Sequence, residues 1–184
     1  MPVSEKTFEA VVLEETEARW ELHGGKLREK PRMSYGHNRP GRRLARQLIT
    51  QLDPDEYDVL LNDGHLIALG GFSYVPDVAV VPATIASVFE ADPRRFEEYA
   101  DPLPFLTEIW SPSTGNYDID QKIPAYRLRG DAEIWRLHPF ERTLTTWRRQ
   151  LDGLYQESHY DGGTVRLHAL PWVTIDVDAL FTSA

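Results

Sequence analysis

Two acids stand inside apolar runs that read as β-strands: Asp77 in VPDVAVV and Glu108 in FLTEIWS. A buried carboxylate without a partner is costly or takes up a proton, so each needs a cation or hydrogen-bond donors beside it. A divalent ion shared by both meets that need. Oxygen-only ligands suit Mg²⁺, which takes one or two carboxylates together with water and substrate phosphate. Lys122 follows Glu108 in the stretch FLTEIWSPSTGNYDIDQK and adds a cation suited to a developing negative charge. The plainer alternative gives each acid a backbone or arginine donor, and pairs Lys122 with Asp118 as an ordinary i,i+4 ion pair on a helix surface.

Other chemistries are poorly served. The chain has no cysteine, which removes disulfides and thiolate metal sites. His23, His37, His65, His138, His159 and His168 form no HxH or HExxH pair, so a zinc site has little support. Ser111 and Ser113 lack the G-x-S-x-G turn of a serine hydrolase. The five tryptophans read as core fillers rather than as base-stacking platforms.

The net charge of −9 argues against nucleic acid, but it conceals an asymmetry. Residues 26–46 hold eight cations against Glu29 alone, a balance of +7 that leaves −16 for the remainder. Arg39, Arg42, Arg43 and Arg46 in this segment are the candidates for a DNA-binding face. A basic face that meets only solvent and the protein's own acids accounts for the charge equally well.

The elements that must position these residues follow from periodicity. Ser4 caps a helix expected over 5–18, and WELHGGKLREK is a hairpin turning at Gly24-Gly25, with Lys26, Arg28 and Lys30 on one face. A second helix is expected to begin around Pro40, with Leu44, Ala45, Leu48, Ile49 and Leu52 as its buried stripe. Strands are expected at 57–62, 66–69, 76–81 and 105–110, and a surface-wrapping stretch with a short helix over 84–99. Then come a turn-rich loop, a helix over 118–128 that Pro124 bends unless it lies in the first turn, and four C-terminal strands.

This succession resembles the Uma2 family of restriction-endonuclease-like proteins, a branch of the PD-(D/E)XK nuclease superfamily. The resemblance covers nearly all of residues 5–181 and is most specific at Pro76-Asp77, at E-x-x-S-P-S-T from Glu108, and at D-x-x-x-K from Asp118 to Lys122. WELHGGKL, GHNRPGRRLARQL and LPWVTIDVDALF match it more loosely. The superfamily pattern places a lysine two residues after the Glu, where this sequence has Trp110. The resemblance implies that the lysine has migrated to the following helix as Lys122. It further implies Asp77, Glu108 and the Ile109 carbonyl as ligands of Mg²⁺ or Mn²⁺, and Glu21, His37, Ser111 and Asp118 as auxiliary site residues.

The expected fold is α/β, a restriction-endonuclease-like core with a mixed central β-sheet flanked by helices (α/β/α). With 184 residues, 41% of them hydrophobic, a single domain over 1–184 is expected. The expected function is Mg²⁺-dependent hydrolysis of DNA, with duplex DNA as the partner and a homodimer suited to double-strand cleavage. The alternatives are a non-catalytic nucleic-acid-binding or interaction protein that keeps the nuclease fold, and a carboxylate-pair glycosidase using Asp77 and Glu108. No apolar run is long enough to span a membrane and the first residues carry acids, so a cytoplasmic location is expected.

Overall fold

A mixed six-stranded sheet, buried on both faces at its centre, divides the protein into two cores. The computed structural model describes residues 2–15, 17–90, 92 and 95–182. The six strands are β3 (Tyr57–Leu61), β6 (Val78–Pro82), β8 (Phe105–Ile109), β9 (Glu133–His138), β10 (Thr143–Arg149) and β11 (Tyr155–Tyr160), in the order β11-β10-β9-β8-β6-β3. All neighbours are antiparallel except β8 and β9, which are parallel with Glu108 opposite Arg136. A parallel pair needs a crossover, and the chain between these two strands is the loop and helical segment that carries Lys122.

Alternation along β6 and β8 sorts side chains to the two faces. Val78, Val80, Phe105 and Ile109 face a core closed by helix α2 (Tyr35–Ile49), α5 (Val177–Phe181) and the small hairpin β12 (Thr164–Arg166)–β13 (Thr174–Asp176). Ala79, Val81 and Leu106 face the other core, closed by α3 (Ala83–Glu90), α4 (Ile123–Arg129) and a second sheet. That sheet runs β2-β1-β5-β4-β7, from β1 (Arg19–His23), β2 (Lys26–Lys30), β4 (His65–Ala68), β5 (Phe72–Tyr74) and β7 (Glu98–Tyr99). A mixed sheet flanked by helices is the expected architecture, and the second sheet is added to it. The hairpin β1–β2 turns at Gly24 and Gly25, whose φ of 55° and 74° suit a residue without a Cβ.

Five elements differ from expectation. Helix α1 (Glu5–Glu14), capped by the Ser4 hydroxyl on the Thr7 amide, ends four residues early; Thr16 lies outside the described residues. Helix α2 begins at Tyr35 rather than near Pro40, because Ser34 caps it through the His37 amide, and Pro40 lies inside it. The helix expected over 84–99 is α3 followed by β7, with residues 91, 93 and 94 outside the described set, and β5 was not foreseen. The helix expected over 118–128 opens instead as a π-helical turn, Asp118–Lys122, in which the Ile123 amide reaches the Asp118 carbonyl. Pro124 has no N–H to give to Asp120, so the wider turn forms just before it and α4 starts with proline in its first turn.

Candidate active site

Asp77 lies at the entry to β6 and Glu108 near the end of β8, both on the sheet face covered by the second sheet and almost wholly buried. Asp77 Oδ2 accepts the Ile109 amide at 2.7 Å. Its Oδ1 stands 2.8 Å from the Lys30 ammonium, yet at angles too poor for a hydrogen bond. Glu108 accepts the Tyr126 hydroxyl at 2.6 Å and meets the Lys122 ammonium at 3.2 Å through each carboxylate oxygen. Glu21, on β1, completes the group: its Oε1 lies 2.7 Å from Lys122 Nζ and accepts the Val75 amide at 3.0 Å. The Val75 carbonyl accepts from both lysines, at 2.8 Å from Lys30 and 3.1 Å from Lys122.

The expected residues thus meet in part. Lys122 is buried against Glu108 and Glu21 and is no surface partner of Asp118. The π-helical turn carries Asp118 into the same cleft, where its nearest hydrogen-bonding neighbour is the Thr114 hydroxyl at 3.5 Å. His37 donates from Nε2 to the Ile109 carbonyl at 2.7 Å, so that nitrogen carries the proton. Gly41 makes this possible, since a Cβ there would fall 2.8 Å from Ile109 Cδ1. Ser111 bonds to Ser113, Thr114 and the Thr114 amide, fixing the loop after β8. Trp110, two residues after Glu108, stacks on His138 with ring centroids 4.3 Å apart.

Charge in this cleft is finely balanced. Burial pushes the Glu108 carboxyl up, and although Lys122 opposes this, Asp77 adds to it, leaving Glu108 at about 8. Burial also lifts Asp77, but Lys30, His37 and Lys122 more than offset it and hold that carboxyl below its ordinary value. Burial opposes the Lys122 charge, yet Glu108, Glu21, Asp118 and Asp77 together raise it well above an ordinary lysine. Asp118 is raised by burial.

Lys30 and Tyr126 were missed from sequence. Lys30 alternates with Lys26 and Arg28 along a hairpin strand that looks solvated, and Tyr126 looks like a core residue of its helix. Only the docking of the second sheet and of α4 turns them onto Asp77 and Glu108.

Solved structures of similar shape include one described as a putative nuclease belonging to DUF820 from Anabaena variabilis ATCC 29413. It covers 90% of this chain and 90% of its own at a TM-score of 0.71, with 18% identity, a likeness of fold. Comparison with the curated proteins gives no match. A family model described as "Uma2: Putative restriction endonuclease" matches residues 6–178. The chain belongs to the Uma2 family.

In this Uma2 protein the basic helix lies against the opposite face of the sheet from the carboxylates. Arg43 gives its guanidinium to the carbonyls of Ala179, Leu180 and Thr182, closing the end of α5. Arg39 is half-buried and Arg46 exposed. Arg42, exposed and 4.9 Å from the Tyr35 ring, lines a groove of about 540 Å³ that also holds Arg19, Lys30 and Arg32 against Glu17 and Glu29. Among the described residues no helix is long and apolar enough to cross a membrane.

The donors suit a hard divalent ion. The cleft lined by Glu21, Lys30, Asp77, Glu108, Asp118 and Lys122 measures about 10 Å³, room for a single water or ion. Asp77 Oδ1 is a buried carboxylate oxygen with no hydrogen bond. Among the described residues no three His, Asp or Glu side chains stand together as a ready cage, but two carboxylates with a carbonyl and water are what Mg²⁺ commonly takes.

Proposed function

We propose that this Uma2 protein is a metal-dependent endonuclease that hydrolyses phosphodiester bonds of duplex DNA, with Asp77, Glu108 and the Ile109 carbonyl holding Mg²⁺ or Mn²⁺. The observation that carries this reading is the buried convergence of Asp77, Glu108 and Glu21 on two lysines at the floor of a cleft beside a cationic groove. When bound, the ion supplies Lewis-acid activation of water and neutralises charge on the phosphate oxygens.

The chain's own groups do the rest. Lys122 is held by Glu21 and Val75 even if Glu108 turns to another partner, so its ammonium stays in place to orient water or to stabilise a phosphate oxygen. Tyr126 fixes the rotamer of Glu108. His37 and the Asp77–Ile109 amide bond hold the end of β8, and with it the Ile109 carbonyl, in position. Asp118 is a fourth acid at the cleft wall, and Ser111 shapes the loop that leads to it. Two buried lysines beside the carboxylates suit a charged phosphate better than a neutral sugar, which favours this reading over the glycosidase alternative.

Thermal melts test the metal half of this reading. For a site of ~1 mM affinity in ~10 mM Mg²⁺, linkage gives about 1.4 kcal/mol. For a domain of this size that is a rise in Tm of roughly 3–6 °C. NaCl of matched ionic strength should give none of it, and Asp77→Asn should lose it. Equal shifts with both salts would favour the alternative of a binding protein with an idle site.

A further inference from the structure

The small cleft and the broad groove share the wall formed by Lys30, Pro31 and Met33, and Lys30 faces both. We propose that Lys30 serves the two in turn: with no metal bound it neutralises Asp77, and when a divalent cation enters it swings into the groove and binds a phosphate of the nucleic-acid strand. Metal binding thereby completes the substrate site. The inference rests on the nuclease reading above and adds to it a residue, a movement and a path for the substrate.

Two observations favour Lys30 as the group that moves. Lys122 donates hydrogen bonds to the Val75 carbonyl and to both oxygens of Glu108, three for an ammonium with three hydrogens, and stands 2.7 Å from Glu21 in an ion pair besides. Lys30 makes one well-formed hydrogen bond, to Val75 O at 2.8 Å, and its 2.8 Å contact with Asp77 Oδ1 is an ion pair without hydrogen-bond geometry. A divalent ion drawn to that same oxygen brings two positive charges against an ammonium already in place, and the weaker anchored lysine yields.

The groove offers a destination. It measures about 540 Å³, begins at Lys30 itself, and carries Arg19, Arg32 and Arg42 against Glu17 and Glu29. Arg32 is tied to Glu17 through its carboxylate at 3.7 Å and its carbonyl at 3.1 Å. Arg42 rests over Tyr35. A strand of phosphates is the polyanion that a row of cations along an open polar groove recognises. The flexible four-carbon stem and point charge of lysine suit a cation that must serve two anions in turn, as the planar fork of arginine does not.

Acylation of the wild-type protein by an amine-reactive anhydride, mapped by peptide mass spectrometry, reads the movement directly. In chelator or in NaCl, Lys30 should be protected and the exposed Lys26 modified. Millimolar Mg²⁺ should raise Lys30 modification several-fold, a phosphorothioate-linked duplex should reverse the rise, and Lys122 should stay protected throughout. Lys30 equally protected with and without Mg²⁺, in a protein whose melt responds to Mg²⁺, overturns this inference and leaves the nuclease reading standing. A melt that does not respond to Mg²⁺ overturns both. As a second readout, Lys30→Met should bind Mg²⁺ about tenfold more tightly by calorimetric titration, because the competing ammonium is gone. Unchanged or weaker binding counts against the proposal.

Discussion

Lys30 and Lys122, brought from a hairpin strand and a π-helical turn, donate to the same oxygen, the carbonyl of Val75, at 2.8 and 3.1 Å. One lysine then faces Asp77 and the other faces Glu108 and Glu21. The carboxylates therefore do not confront each other bare, and the site is electrostatically tolerable without a metal. The same arrangement fixes how each group should respond to change.

Lys122→Met leaves Glu21 and Glu108 buried without their cation. Loss of one partner of such a group costs about 3–5 kcal/mol. Urea unfolding should register that loss, and nuclease assays should detect no cleavage. Adding Glu108→Gln replaces a carboxyl that has lost its partner with a neutral amide and should recover part of the stability while cleavage stays absent. A single variant as stable as the wild type would mean that Lys122 is solvated in solution.

The metal-free protein should lose stability as pH rises. Glu108 sits at about 8 in the fold against an ordinary 4.5, so its proton is bound more tightly when folded. That contribution is full below about 4.5 and lost as pH climbs through about 8. Asp77, held below its ordinary value, works in the opposite sense, and its contribution is lost only in acid. Melts in chelator should thus fall in Tm from pH 5 to pH 8.5 in the wild type and vary far less in Glu108→Gln. Metal binding must displace the Glu108 proton, so Mg²⁺ affinity should rise over the same range. A flat wild-type profile would contradict the assignment.

Gly41→Ala should push α2 from β8, since its Cβ would lie 2.8 Å from Ile109 Cδ1. Overpacking of this kind costs roughly 1–3 kcal/mol. It should also displace His37 from the Ile109 carbonyl and slow cleavage. Ile109→Val deletes the obstructing Cδ1, so the double variant should regain both stability and rate. Failure of that rescue would place the effect elsewhere in α2.

Arg42 and Arg43 are neighbours with different tasks. Arg42→Gln should weaken DNA binding and lower the log–log salt slope by roughly 0.9, the loss of one duplex phosphate contact. Arg43→Met should leave the slope alone and lower the melting temperature, because its guanidinium closes α5 through three carbonyls. Identical slopes for wild type and Arg42→Gln would remove the groove from the substrate path.

Asp77 and Glu108 were legible in the sequence because a carboxylate interrupting an apolar run needs a partner, whatever the tertiary structure. Lys122 was legible through the resemblance, and its burial depends on the π-helical turn that Pro124 imposes. Lys30 was hidden because strand alternation groups it with the exposed Lys26, and its burial comes from a sheet assembled from β1, β2 and β5 far along the chain. The arginines of α2 were grouped by charge alone. Charge does not reveal that Arg43 faces the carbonyls at the end of a C-terminal helix while Arg42 faces a groove. β5 escaped because three residues after a Gly-Gly turn carry too little periodicity to read.

The most direct measurement is cleavage of supercoiled plasmid DNA by wild-type protein and by Asp77→Asn, in Mg²⁺, in Mn²⁺ and in chelator. The account predicts cleavage by the wild type with either metal and none in chelator. Asp77→Asn, in which a ligand is lost but the shape is kept, should be slower by at least about 10²-fold, the scale of losing one charge-stabilising group at a reacting phosphate. Cleavage by Asp77→Asn at the wild-type rate, or a folded, metal-binding wild type that leaves DNA intact in both metals, would contradict it.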